Sequence, residues 1–177
     1  MNIFLTISLL APGAISPTPV RPDTTASFTL PSGVQVRIVE APFEASLFKV
    51  VGCSTGESRC LINGQVPFGS GNGLPRTYVK SITVSFKGRS YLLDSSQMFN
   101  AWGSRPLAYP PPRAVRYFGG NCFDSANCQF RGVFSDAGGS FAAEWVIVGG
   151  AVVRTILTDR NDVVGFIMNN IDPPELE

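Results

Sequence analysis

Four cysteines, thirteen carboxylates and no histidine bound the chemistry open to this 177-residue chain. Without histidine there is no Ser-His-Asp triad, no Cys-His pair, no histidine-ligated zinc and no proximal-histidine haem. Paired carboxylates, a Ser-Lys dyad and metal-binding carboxylates remain. Asp124, Asp136, Glu144, Asp159 and Asp162 are the candidates, and no spacing marks any two as partners. Glycosidase carboxylates meet only in the fold, so a histidine-free carboxylate hydrolase stays as a minor reading. Lys80 and Ser81 are neighbours in an alternating stretch and point to opposite sides of a strand, which spoils a dyad. Gly69, Gly71 and Gly73 look superficially like a phosphate loop. The pattern is not G-x-G-x-x-G, and Pro75 blocks the helix whose N-terminus would hold the phosphate. A plain connection is the better reading of 64–76. No catalytic residue, cofactor or metal is expected.

The cysteines fall into two local pairs. Cys53 and Cys60 enclose six residues, Cys122 and Cys128 five. Four cysteines allow three pairings. Short loops bearing Gly, Ser and Asn favour the two local ones, each adding roughly 2–3 kcal/mol by restricting the unfolded chain. A four-cysteine zinc site usually shows two C-x2-C knuckles, and these spacings are wider. Free thiols are the remaining alternative.

Disulfides imply an oxidising compartment. Residues 3–10 agree, reading as a short apolar segment followed by Ala11 and Gly13 at the positions of a cleavage site. No Lys or Arg precedes Arg21, so the usual positive leader is missing, and an N-terminal strand is the alternative. The stretch is far below the about 20 apolar residues a membrane span needs, so no transmembrane helix is expected. Residues 14–25 hold three prolines and read as an extended linker. Residues 1–25 are thus taken as a signal-like segment with a Pro-rich linker, and 26–177 as one domain. Fourteen basic residues nearly cancel thirteen acidic ones, which removes the electrostatic case for nucleic acid. Apolar residues at 44% suit a real core, and charged residues at only 15% suit strands and turns over long surface helices.

The elements follow from periodicity. Residues 28–30 and 34–39 flank Pro31-Ser32-Gly33 as a hairpin. Tyr78, Ile82, Val84 and Phe86 alternate with Val79, Ser81, Thr83 and Ser85; Lys87-Gly88 turns the chain, and 89–93 returns it. Asp94 or Ser95 then caps a short helix carrying Met98, Phe99 and Trp102. A third hairpin runs 140–148, Gly149-Gly150, 151–158. Phe141, Ala143, Trp145 and Ile147 alternate with Ala142, Glu144, Val146 and Val148, so this strand is central. Glu144 then needs a partner. Arg154 is the nearest cation across the turn; a strict two-residue turn sets it opposite Trp145, so this pairing needs a bulge or a longer turn. Asp159 and Asp162 approximate a capping box for a helix with Val163, Ile167 and Ile171 on one stripe and Val164 and Met168 beside it, ended by Asp172-Pro173-Pro174. The fold class is a β-rich α+β domain: antiparallel sheets built from hairpins, as a sandwich or partly open barrel, with one short helix and a C-terminal helix.

If hairpin faces are core, contacts fall to the loops. Two loops carry large side chains on stiffened backbone: 64–76 with Phe68 and Arg76, and 104–117 with Tyr109, Arg113 and Tyr117. Proline lowers the entropy lost on binding, and Tyr and Arg are common interface anchors. These five are the candidate partner-binding residues; a stiff surface crossing is the plainer reading of the second loop. Trp102 and Trp145 define an alternative, a groove for a small molecule or glycan.

Several blocks carry a resemblance: 78–88, 95–102, 131–137 followed by Glu144-Trp145, 154–158 and 171–174. Together they resemble a group of small, exported, uncharacterised proteins of Gram-negative bacteria. That group is similar to the periplasmic cognate inhibitors, or immunity proteins, that accompany secreted antibacterial toxins. The resemblance implies a periplasmic or secreted, non-enzymatic module that binds a protein partner, and it assigns no functional residue.

Overall fold

The computed structural model describes residues 23–53, 60–71, 73–102, 117–135 and 139–173. Period-two alternation builds its two main sheets. β1 (Thr24–Thr29), β2 (Gln35–Pro42), β5 (Thr77–Phe86) and β6 (Arg89–Leu93) form sheet I in the order β1-β2-β5-β6. β7 (Phe118–Cys122), β8 (Cys128–Phe134), β9 (Phe141–Val148) and β10 (Ala151–Thr158) form sheet II in the order β10-β9-β8-β7. β3 (Val50–Val51) pairs with β4 (Leu61–Ile62) as a small third sheet, and a 3-10 turn spans Ala45–Leu47. All pairings are antiparallel. Among the described residues the one α-helix, α1 (Asn161–Asn169), follows β10.

The three predicted hairpins are present. Lys87 and Gly88 both hold positive φ, as do Gly149 and Gly150, which matches the two-residue turns whose twist suits antiparallel strands. β9 is central as expected, and its two apolar phases serve two clusters. Phe141, Ala143, Trp145 and Ile147 join Val36, Ile38, Ile82, Val84 and Leu93 in the core shared by sheets I and II. Ala142 packs with Val133, Val164 and Ile167 beneath α1. The sheets thus face each other as a sandwich. Trp145 is 0% exposed, and its indole N–H donates to the Asp94 carbonyl at 2.9 Å, so the largest core side chain also satisfies its one polar group.

Three local expectations are corrected. No helix forms over 94–102. Gln97 (φ 66°) and Asn100 (φ 44°) are left-handed and cannot continue a right-handed helix. Instead Met98 bridges Phe68 and Phe99 bridges Tyr78, so this backbone spends its hydrogen bonds on extended neighbours. Tyr78 does not share the core face of Ile82. The β2–β5 register slips between Val39 and Glu40, so Ser81 faces Val39 and Val79 faces Glu40. Lys80 is the extra residue, and this puts Val79 in the core phase. Tyr78 instead packs against Phe48 in a separate aromatic cluster with Phe43 and Phe99. Asp159 is not the helix cap either: α1 starts after Arg160, which has no side-chain cap, and the Thr158 hydroxyl accepts the Arg160 N–H. The predicted stripe faces the core, with Ile167 buried and Val163 and Ile171 packed beside it; of the two flanking residues Val164 is buried and Met168 exposed.

Candidate interaction surface

The outer face of sheet II is laid down by the second phase of β9: Ala142, Glu144, Val146, Val148. Beside them in register stand Val133, Arg131 and Gln129 of β8, and Thr158, Ile156 and Val153 of β10. The face divides into three zones. Ala142, Val133 and Ile156 lie under α1. At the next row, Arg131 Nε donates to Glu144 at 2.6 Å, the Gln129 amide donates at 3.0 Å and the Thr155 hydroxyl at 2.9 Å. Arg131 also donates to the Asn170 carbonyl at the end of α1. Beyond this polar belt the face is bare: Val148 is 65% and Val153 52% exposed, and Val146 is half-buried.

Glu144 does need a partner, but that partner is Arg131 on β8 and not Arg154. A bulge does occur between Arg154 and Ile156. It turns Thr155 toward Glu144 and leaves Arg154 opposite Trp145, on the inward side. There Arg154 pairs with Asp94 at 3.2 Å and donates to the Ser96 carbonyl at 2.6 Å and to Gln97. Burial pulls the Arg154 guanidinium below its usual pKa, and Asp94 opposes that shift. It ties the end of β6 to β10.

At the bare end stands the loop 123–127, closed by the Cys122–Cys128 disulfide. The second disulfide is Cys53–Cys60, so both local pairings hold, and they suggest an oxidising compartment. A set of hydrogen bonds braces the 123–127 loop. Phe123 N–H donates to the Asn127 carbonyl and Gly150 N–H to the Ala126 carbonyl. The Asp124 carboxylate accepts Ala126 N–H and the Asn127 amide. Asn127 Oδ1 accepts Gly149 N–H, and the Tyr91 hydroxyl donates to the Ser125 carbonyl at 2.6 Å. The Ala126 N–H and then the Asn127 amide hold the Asp124 carboxyl below its ordinary pKa. In this fixed loop the Phe123 ring is 72% exposed. It borders a cleft of about 430 Å³ lined by Asn127, Gln129, Val146 and Val148.

The residues expected to bind lie elsewhere. Phe68 is half-buried against the core, its ring 6.3 Å from Phe141. Arg76 is exposed and its N–H donates to Asn100. Tyr117 is exposed just before β7. Tyr109 and Arg113 fall outside the described residues, as does Asp136. Trp102 packs edge-on against Phe134, and with Trp145 fully buried the two do not line a common groove. Asp159 is exposed just before α1 and Asp162 is exposed in its first turn, and Lys80 pairs with Asp23 at 2.7 Å. Among the described residues no group of three His, Cys, Asp or Glu side chains stands ready to hold a metal. No helix among them is long and apolar enough to cross a membrane.

Sequence reasoning missed Phe123, although a lone large aromatic between two disulfide-bonded cysteines was a usable signal. It also missed Glu40. The alternation Val34, Val36, Ile38 carries Glu40 in the same phase, and the carboxylate is indeed buried, accepting the Thr77 hydroxyl. No protein-family model, curated protein or solved structure matches this chain.

Proposed function

We propose that this chain is an exported, non-enzymatic protein-binding module of the immunity type, acting in the periplasm or outside the cell by steric occlusion of a secreted antibacterial toxin. The observation that carries the reading is Phe123. A large aromatic is held out to solvent by a loop braced by a disulfide and internal hydrogen bonds, beside a bare valine strip. Preorganised aromatic anchors cost little entropy on binding and dominate interface energies. Contiguous exposed apolar patches of a few hundred Å² on a monomer are often functional. A stable interface takes roughly 800 Å² from each partner, so the strip supplies its dry centre. Gln129, Asn127 and the polar belt supply the rim.

The test uses the oxidised protein as bait on native envelope extract, with Phe123→Ala as the paired bait. A protein retained by the wild type and released at least 30-fold more readily by Phe123→Ala is the expected result. Export of that protein alone should then arrest growth, and co-export of the module should restore it. If no protein is retained, or both baits retain it equally, the surface assignment fails. Fractionation provides a second check: intact chain confined to the cytoplasm is incompatible with this role.

A further inference from the structure

Sheet I presents a different outer face. The outward positions are Thr25, Ser27 and Thr29 on β1, Gln35 and Arg37 on β2, Ser81, Thr83 and Ser85 on β5, and Ser90 and Leu92 on β6. Register aligns them into rows across the strands. One row reads Ser27, Arg37, Thr83, Leu92, and the next Thr29, Gln35, Ser85, Ser90. Ser85 and Ser90 share a hydrogen bond at 2.7 Å. Ser27, Thr29, Gln35, Arg37 and Thr83 have no side-chain hydrogen bond or ion pair to any described residue. They surround a shallow cavity of about 360 Å³. No carboxylate occupies an outward position on these four strands; the nearby Asp23 is taken by Lys80.

We propose that this face binds an acidic saccharide, a short oligosaccharide carrying a uronate carboxylate. The Arg37 guanidinium, exposed and with no partner among the described residues, has five donors and no acceptor, so it can meet a carboxylate in a two-point pair. The hydroxyls around it both donate and accept, as sugar hydroxyls do. Successive rows lie about 6.6–6.8 Å apart along a strand and neighbouring strands about 4.8 Å apart, spacings that let one pyranose reach several side chains. Leu92 is 65% exposed at the end of the Arg37 row and offers an apolar contact for a sugar ring. The charge complementarity selects the acidic sugar over a neutral one, and the hydroxyl rows select it over a bare anion. This site stands apart from the Phe123 surface and does not depend on it.

The test is titration calorimetry with a tetra-uronate, the neutral tetrasaccharide of the same linkage, and inorganic sulfate. The tetra-uronate is expected to bind the wild type and to bind Arg37→Gln at least 10-fold more weakly. It should bind Thr83→Val several-fold more weakly, and Phe123→Ala unchanged. Thermal melting of each variant must match the wild type, since these side chains are on the surface. No binding of the tetra-uronate, or equal binding by Arg37→Gln, overturns the proposal. Sulfate binding as tightly as the tetra-uronate reduces the face to an anion site and overturns the saccharide assignment. Equal binding of the neutral sugar overturns the role given to Arg37.

Discussion

Sheets I and II have the same four-stranded antiparallel plan and close on the same core, yet their outer faces have opposite character. On sheet I the outward phase is Ser, Thr and Gln with one Arg and one exposed leucine, Leu92, and water can satisfy its polar groups without help. On sheet II the outward phase of β9 is Ala142, Glu144, Val146, Val148. Such a face needs cover along its whole length. α1 covers one end, the Arg131–Glu144 belt occupies the middle, and nothing in the described chain covers the other. The difference teaches where to look for a macromolecular partner. A wet face can remain bare as a matter of course, whereas exposed valines beside an exposed Phe123 are the feature on which the proposed partner surface rests.

The largest expected effect tests the middle zone. Glu144 and Arg131 are each only about one-tenth exposed at the side chain. Glu144→Ala leaves Arg131 buried without its anion, and removing one member of a buried pair costs about 3–5 kcal/mol. On sheet I the matching change, Arg37→Ala, strips an exposed, unpaired side chain and should stay within about 0.5 kcal/mol. Urea denaturation of both variants checks the contrast. Equal losses would mean that the two faces are not energetically distinct.

The next effect concerns the loop at the bare end. Replacing Cys122 and Cys128 together by Ser should cost roughly 2 kcal/mol, as expected for a short closed loop. It should also release Phe123 and weaken partner capture beyond that loss. The same double change at Cys53 and Cys60 should lower stability similarly and leave capture intact, because that pair braces the aromatic cluster of Phe43, Phe48 and Phe99 at another place. Melting and capture measured on both variants separate the two roles. If capture falls equally for both, the 123–127 loop holds no special place.

These contrasts mark what the sequence made legible. The hairpins, the central place of β9 and both disulfides could be read because alternation, two-residue glycine turns and loop length are local signals. The partner of Glu144 could not, because Arg131 lies on β8 and only tertiary register sets the two opposite each other. The same limit hid the Lys80 bulge, which moved Tyr78 out of the core phase. It also hid the fate of 94–102, where helix-compatible residues were drawn into bridges with Phe68 and Tyr78. The candidate surface was missed for a further reason: an exposed valine and a buried one look alike in a strand of two apolar phases.

A smaller effect sharpens the claim that the strip is surface and not packing. Val148→Thr combined with Val153→Thr keeps the branched shape and adds hydroxyls. At exposed positions the combined change should alter stability by less than about 1 kcal/mol. Binding of an environment-sensitive hydrophobic dye to the folded protein should fall. A marked drop in melting temperature would place these valines under cover.

The smallest effect is confined to pH. The folded loop prefers Asp124 ionised, because Ala126 N–H and the Asn127 amide donate to its carboxylate and depress its pKa from an ordinary value near 3.8. A depressed folded pKa means that the unfolded chain takes up the proton first. The stabilisation is therefore complete above the ordinary carboxylate value and is lost as pH falls through the lower folded value. Asp124→Asn keeps the shape but replaces one accepting oxygen by an amide that cannot accept from Asn127. At pH 7 the variant should melt slightly below the wild type. As the pH is lowered below the ordinary carboxylate value the gap should close, since the wild type is losing the interaction the variant never had. The same titration on Arg37→Gln should show no such convergence, because sheet I's outer face holds no carboxylate. Paired melting curves across that range decide it. A gap that stays constant with pH would mean that the charge of Asp124 plays no part in holding Phe123 out to solvent.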